Sequence, residues 1–205
     1  MRSLAHATPR YIYYRLIDIL YQKRHSEYPW LTPQAIAILE SWLRPHDVGF
    51  EWGAGRSTLW FGSKVSHITS VEHDPEWFQN INEKIRTKGL SLKVNFLKRA
   101  LDAGYESAID SFPNRSLDFV LVDGRRRLQC IAHALPKVKK GGLLILDNAE
   151  NYFPVIPKAA LPGGKEDEMF VQGITEGLHA WRIIRTTNGI WDTVLWIKPV
   201  DADVD

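Results

Sequence analysis

Short apolar runs and amphipathic stretches alternate along most of this chain, and their periods predict its elements. Ile36, Leu39 and Leu43 recur at helical spacing with Ile38 and Trp42 beside them. Thr32 can cap that helix, Pro33 suits its first position, and Pro45 and His46 end it. A buried strand is expected from Asp47 to Glu51, then a helix beginning over Ser57–Gly62. His67–Glu72 is a second strand, and Asp74-Pro75 opens a helix with the stripe Trp77, Phe78, Ile81 and Ile85, stopped by Gly89. Leu92, Val94 and Phe96 alternate with polar residues as a third strand would. A short helix is expected over Gly104–Ile109, and the apolar run Leu117–Val122 is a fourth strand. Leu128, Ile131, Ala132 and Leu135 form a helical stripe that Pro136 breaks, and Gly141-Gly142 leads into a strand from Leu143 to Asp147.

Strand and helix patterns that alternate in this way imply right-handed βαβ units, so the fold class is α/β: a doubly wound, mostly parallel sheet covered on both faces. Residues 149–180 show no clear period and are punctuated by Pro154, Pro157, Pro162, Gly163 and Gly164, so a lid or substrate loop is expected there. Two apolar segments, Trp181–Arg185 and Trp191–Ile197, flank Asn188-Gly189 and predict a C-terminal antiparallel hairpin. Near the other end, Tyr11–Tyr21 is apolar around most of its circumference and flanked by Arg10, Lys23 and Arg24. Such a segment suits a membrane surface or the subunit contact of a homo-oligomer. The simpler expectation is an N-terminal helical segment, residues 1–45, packed on a domain of residues 46–205.

Composition narrows the classes. The 205 residues are 44% apolar and 24% charged, as in a globular domain, and the net charge of +2 gives no reason to expect a nucleic-acid partner. No apolar run approaches the ~20 residues of a membrane span, and there is no secretory h-region. The lone Cys130 excludes an internal disulfide and fits a reducing, cytoplasmic setting; on its helix face it reads as a small buried hydrophobe. One Cys and scattered His build no zinc site, and neither a G-x-S-x-G elbow nor a phosphate-loop lysine is present.

The chemistry concentrates where the first strand meets its helix. Glu51-Trp52-Gly53-Ala54-Gly55-Arg56-Ser57-Thr58 is a strand end, a glycine turn and a helix start. Glycines there let a ligand approach the backbone, and Glu72, about 20 residues on, can accept both hydroxyls of a ribose. A dinucleotide fingerprint wants a third glycine where Thr58 stands, and Glu51 would repel a phosphate. S-adenosylmethionine (SAM) has no phosphate and carries an ammonium and a sulfonium, so the pattern favours SAM over NAD. The expected cofactor residues are Glu51, Trp52, Gly53, Gly55, Ser57, Thr58, Glu72, His73 and Asp123, with Trp30 and Trp52 as possible walls.

Four expected strands end on an acid at one sheet edge: Glu51, Glu72, Asp123 and Asp147. Ligands of open α/β sheets bind beyond the carboxyl ends of the strands. Asp123, Asp147 and Asn148 lie where a methyl acceptor would dock, so they are the catalytic candidates, with His73, His133 and His179 behind them. Their three oxygens suit a hard cation such as Mg²⁺, or direct contact with an acceptor hydroxyl or amine; both stay open.

With Ser70-Val71-Glu72-His73-Asp74, Leu121-Val122-Asp123-Gly124-Arg125 and Gly141-Gly142-Leu143-Leu144-Ile145-Leu146-Asp147-Asn148 added to the glycine turn, the chain resembles the class I SAM-dependent methyltransferases over about residues 28–197. The resemblance implies a Rossmann-like, seven-stranded sheet whose last strand is antiparallel. It also implies that Gly53 and Gly55 pass under the methionine part of SAM and that Glu72 holds the ribose. Asp123 with Asp147-Asn148 resembles the metal triad of catechol-type O-methyltransferases. Arg126 stands where those enzymes have a lysine base, and arginine cannot be deprotonated. The run Arg125-Arg126-Arg127 suits an anionic acceptor or a solvated helix start. The leading expectation is methyl transfer to oxygen, less readily nitrogen, of a small molecule or glycan. A non-catalytic SAM- or partner-binding domain of the same fold is the alternative.

Overall fold

The computed structural model describes residues 8–153 and 165–200. Helices α1 (Pro9–Arg24) and α2 (Pro33–Trp42) precede the sheet. Then come β1 (Val48–Trp52), α3 (Arg56–Lys64), β2 (His67–Glu72), α4 (Pro75–Thr87), β3 (Val94–Lys98) and a 3₁₀ turn at Glu106–Ile109. β4 (Leu117–Val122), α5 (Arg127–Ala134), β5 (Val138–Asp147), α6 (Lys165–Leu178), β6 (Arg182–Thr187) and β7 (Asp192–Ile197) complete the order. The seven strands form one sheet in the order β3-β2-β1-β4-β5-β7-β6. β1 to β5 run parallel, and β7 is antiparallel to both β5 and β6. This is the doubly wound sheet with a C-terminal hairpin that the sequence predicts.

Alternation along the central strands divides the core. Phe119 and Leu121 of β4 and Leu143 and Ile145 of β5 pack against Ile36 and Leu39 of α2, Phe61 of α3 and Ile81 and Ile85 of α4. Val120, Val122, Leu144 and Leu146 take the other face, with Ile131 and Ala134 of α5 and Ile174 and Leu178 of α6. The chain leaves β1 toward β2 on one side and has β4 on the other, so the sheet's direction of winding switches between β1 and β4. A crevice opens at the carboxyl ends of strands at such a point.

Several boundaries differ from expectation. β1 is shifted one residue forward, because Asp47 turns its carboxylate back to accept the Arg44 backbone N–H at 2.8 Å. β3 begins at Val94, leaving Leu92 95% exposed. β5 begins at Val138, ahead of Gly141-Gly142, and the glycines sit in a bulge where the register against β4 slips between Leu117↔Val138 and Phe119↔Leu143. Part of the aperiodic stretch is the helix α6. Among its described side chains the buried ones are Ile174 and Leu178, and Gly173 and Gly177 weaken its propensity. Gly177 nonetheless has a packing role, since a Cβ there would lie 3.1 Å from Leu135 Cδ1. The expected loop residues 154–164 lie outside the described residues.

α1 docks by its polar side. Asp18 is buried, accepts from Asn188 Nδ2 at 3.3 Å and pairs with Arg15 at 3.3 Å. Gln22 accepts from Arg56 at 3.3 Å, and the Tyr14 ring covers Gly189 in the β6–β7 loop. Ile12, Tyr13, Leu16 and Leu20 remain exposed. Among the described residues no helix is long and apolar enough to cross a membrane.

Candidate active site

The β1–α3 turn is built from beneath. Glu51 is fully buried; its Oε1 accepts from Ser70 Oγ at 2.7 Å and from the Thr58 hydroxyl. Thr58 Oγ1 in turn accepts from the Gly55 backbone N–H at 3.0 Å, so a chain of bonds runs from the carboxylate to the glycine loop. Burial pushes the Glu51 carboxyl up to about 7 against the hydrogen bonds of Thr58, Ser70 and Ser57 that favour ionisation. Neither cavity at the sheet edge is lined by Glu51 or Thr58. The expected contact of Glu51 with a cationic ligand is therefore replaced by support of the turn. Trp52 is likewise no wall: its ring is buried in the core, and its Nε1 donates to the Tyr105 carbonyl at 2.8 Å.

The two glycines differ. Gly53 has φ +91°, and a Cβ on it would lie 2.7 Å from the backbone of Asp123 and Gly124. It keeps the β1 and β4 ends together. A Cβ on Gly55 would meet only Trp77 Cζ2, at 4.0 Å, so Gly55 leaves open space in the cleft. That cleft, about 500 Å³, is lined by Gly53, Gly55, Ser57, Glu72, His73 and Asp123 among others. Six expected cofactor residues thus converge. The Glu72 Oε1 accepts from the backbone N–H groups of His73 and Asp74 at 2.7 and 2.8 Å, which aims the carboxylate and leaves Oε2 for a ligand. Trp77 Nε1 donates to the Ala54 carbonyl at 2.7 Å and fixes the opposite lip. The cleft fits SAM by two features: space over Gly55 and a buried carboxylate oriented at the β2 end.

A larger cavity, about 760 Å³, adjoins it under α1. Arg15, Asp18, Gln22 and Lys23 of α1 form one side, Asp123, Asp147 and Asn148 the floor, and Trp30 and Trp191 walls. Trp30, Arg56 and Asp123 line both spaces, and the Arg56 guanidinium lies 5.3 Å from the Trp30 ring centre. The three catalytic candidates are together, as expected. Burial pushes the Asp123 carboxyl up to about 6, opposed by Arg127. Asp147 is raised well above the usual range by burial and by the charge of Asp123; its Oδ1 accepts from Thr193 Oγ1 at 2.7 Å.

The fit to Mg²⁺ fails on one observation. The Arg127 guanidinium occupies the ground between these residues, bonding to Asp123, Asp147 and Asn148 at once. Among the described residues no three His, Cys, Asp or Glu side chains are grouped to hold a metal ion. Arg126, which takes the place of the lysine base, turns away to pair with Glu106 at 2.9 Å. His133 pairs with Asp110 and His179 with the Glu176 carbonyl; neither lines the cleft or the cavity beside it. Cys130 is buried, which pushes its thiol up and keeps it inert. The sequence missed Arg15, Lys23 and Arg56, and it named Arg127 only as one of three arginines suited to an anionic acceptor or a solvated helix start. Of the three that were missed, Arg56 carried a positional signal, beside the glycine turn.

Residues 50–149 match a family model described as a methyltransferase domain. The chain is similar over that stretch to methyltransferase domains. Its architecture is shared with the O-methyltransferase TomG of Streptomyces achromogenes, involved in tomaymycin synthesis and solved with SAM: TM-score 0.63, 17% identity, covering 94% of this chain and 100% of that one. An O-methyltransferase of Bacillus cereus bound to S-adenosylhomocysteine (SAH) gives 0.59 at 13% identity, covering 95% and 93%. A Corynebacterium glutamicum protein gives 0.64 at 15% identity, covering 98% and 94%. At these identities the likeness is one of fold. No curated protein matches this chain.

Proposed function

We propose that this chain transfers a methyl group from SAM to an oxygen, less readily a nitrogen, of a small molecule or glycan. The observation that carries this reading is the pair of adjoining spaces: a cofactor cleft over Gly55 and Glu72, and an acceptor cavity that meets it at Trp30, Arg56 and Asp123. SAM supplies a methyl carbon already activated by its sulfonium. What remains for the protein is alignment of the two reactants, which contributes several kcal/mol, about 7–11 in well-oriented systems. Glu72 anchors the ribose end. Asp123, with its carboxyl at about 6, is ionised in most molecules at pH 7 and can take the proton of an acceptor hydroxyl directly or through one water. Arg15, Lys23 and Arg56 around the cavity favour an acceptor that also carries an anionic group.

Calorimetry with SAM, SAH and NAD, followed by transfer of labelled methyl to hydroxylated acceptors with and without a carboxylate, tests the proposal. SAM and SAH should bind and NAD should not. Asp123→Asn should lower turnover by roughly 10²–10⁴-fold, the range for a positioned base, and should weaken SAM binding far less than it lowers turnover. Preferential NAD binding overturns the reading. SAM binding without transfer to any acceptor points instead to a non-catalytic SAM-binding domain.

A further inference from the structure

Arg127 stands at the first position of α5, where a cation is unfavourable because the helix dipole presents its positive end. The residue before it, Arg126, is in the left-handed region at φ +48° and offers no side-chain cap. What holds Arg127 there is a set of oxygens. Its Nε donates to the Gly124 carbonyl at 3.0 Å. Its Nη2 donates to the Asp123 carbonyl at 3.1 Å, to Asp123 Oδ1 at 3.0 Å and to Asn148 Oδ1 at 3.4 Å. Its Nη1 donates to the Asp147 carbonyl. These oxygens come from the ends of two neighbouring strands, and the Arg127 side chain is only 11% exposed. Asn148 is also left-handed, at φ +48°, so the backbone bends on both sides of the guanidinium.

Carbonyl, carboxylate and amide oxygens converging on one point are what a hard divalent cation requires. Here the planar fork of an arginine, which cannot lose its charge, takes them instead. We propose that Arg127 is a built-in replacement for a divalent cation at the acceptor floor: a positioning residue that holds Asp123, Asp147 and Asn148 in place and keeps metal ions out. The cation-excluding cage follows from the contacts alone; only its service to an acceptor rests on the methyl-transfer reading.

The test is a gain of metal binding, which loss of packing would not produce. Mn²⁺ is the probe, followed by its electron paramagnetic resonance, with Tb³⁺ luminescence excited through Trp30 and Trp191 as a second reading. The intact protein should show no Mn²⁺ site at or below about 1 mM, the weak end of protein cation sites. Arg127→Ser opens the cage and should bind Mn²⁺ at least roughly tenfold more tightly, a separation any affinity measurement resolves. Adding Asp123→Asn to that variant should abolish the gain. Arg127→Gln, which keeps a planar amide against the carbonyls without the charge, should also bind Mn²⁺ and serves if the serine variant does not fold. A Mn²⁺ site in the intact protein overturns the proposal, as does a folded Arg127→Ser or Arg127→Gln with no gain. In transfer assays EDTA should leave the intact protein unaffected and Mg²⁺ should restore part of the activity of Arg127→Ser. Absence of any transfer by the intact protein would count against the methyl-transfer reading and leave the Mn²⁺ result standing.

Discussion

Gly53 and Gly55 look equivalent in the sequence and are not. Gly53 is held at φ +91° against the Asp123–Gly124 backbone, so Gly53→Val should destabilise the whole domain. Left-handed backbone alone costs a side-chain-bearing residue about 1–2 kcal/mol, and the overlap adds to it. Gly55 faces open cleft, so Gly55→Val should leave the urea midpoint near wild type while sharply weakening SAM binding. Equal losses of stability in the two variants would refute the division of roles. Glu72 offers a second residue-scale test. Glu72→Ala should weaken SAM binding by about 1.5–3 kcal/mol, the scale of hydrogen bonds to a charged group. Glu72→Gln keeps an acceptor for the His73 and Asp74 N–H groups and should cost less than Glu72→Ala. Calorimetry reads both, and unchanged affinity in a folded Glu72→Ala removes Glu72 from the cofactor site.

The central strands were legible in the sequence because their burial is complete, and α2 and α4 because their apolar stripes keep a helical period. β4 and β5 are covered on both faces, so they read as nearly unbroken apolar runs, and their ends placed Asp123, Asp147 and Asn148 correctly. α6 was not legible, because it buries one side through only two described side chains and carries two glycines. Which of three successive arginines turns inward was not legible either. The left-handed Arg126 resets the direction of the chain before α5 begins, and helical periodicity counts only from Arg127. The apolar circumference of α1 did not show which side docks: Asp18 and Gln22 make its polar contacts to the rest of the domain, beside the acceptor cavity. Removal of residues 1–24 should therefore spare the cofactor cleft, which no α1 residue lines, and remove one side of the acceptor cavity. SAH affinity should stay within roughly threefold, less than the weight of one hydrogen bond, while methyl transfer falls steeply. A comparable loss of both would show that α1 holds the cofactor site too.

At the scale of the whole molecule, the site is a charge that folding must accommodate. Glu51 is fully buried, and its carboxyl is pushed up to about 7 from the 4.5 of an exposed glutamate. Between those values the unfolded chain has already released this proton and the folded chain still holds it. The unfolded state then binds fewer protons, so stability from this group falls as pH rises. The contribution is whole below about pH 4.5 and is lost as pH climbs through about 7, on the order of 3 kcal/mol in total. Asp123, raised to about 6, adds to the decline in a lower window. Glu51→Gln keeps an oxygen for Thr58 and Ser70 and has no proton to release. Without SAM present, its urea midpoint should match wild type near pH 4.5 and exceed it at pH 8. The difference between the two proteins isolates Glu51 from every other carboxylate, because those titrate in both. A gap of the same size at both pH values would mean that the substitution acts through packing and that the carboxyl beneath the glycine turn is already ionised in the folded protein.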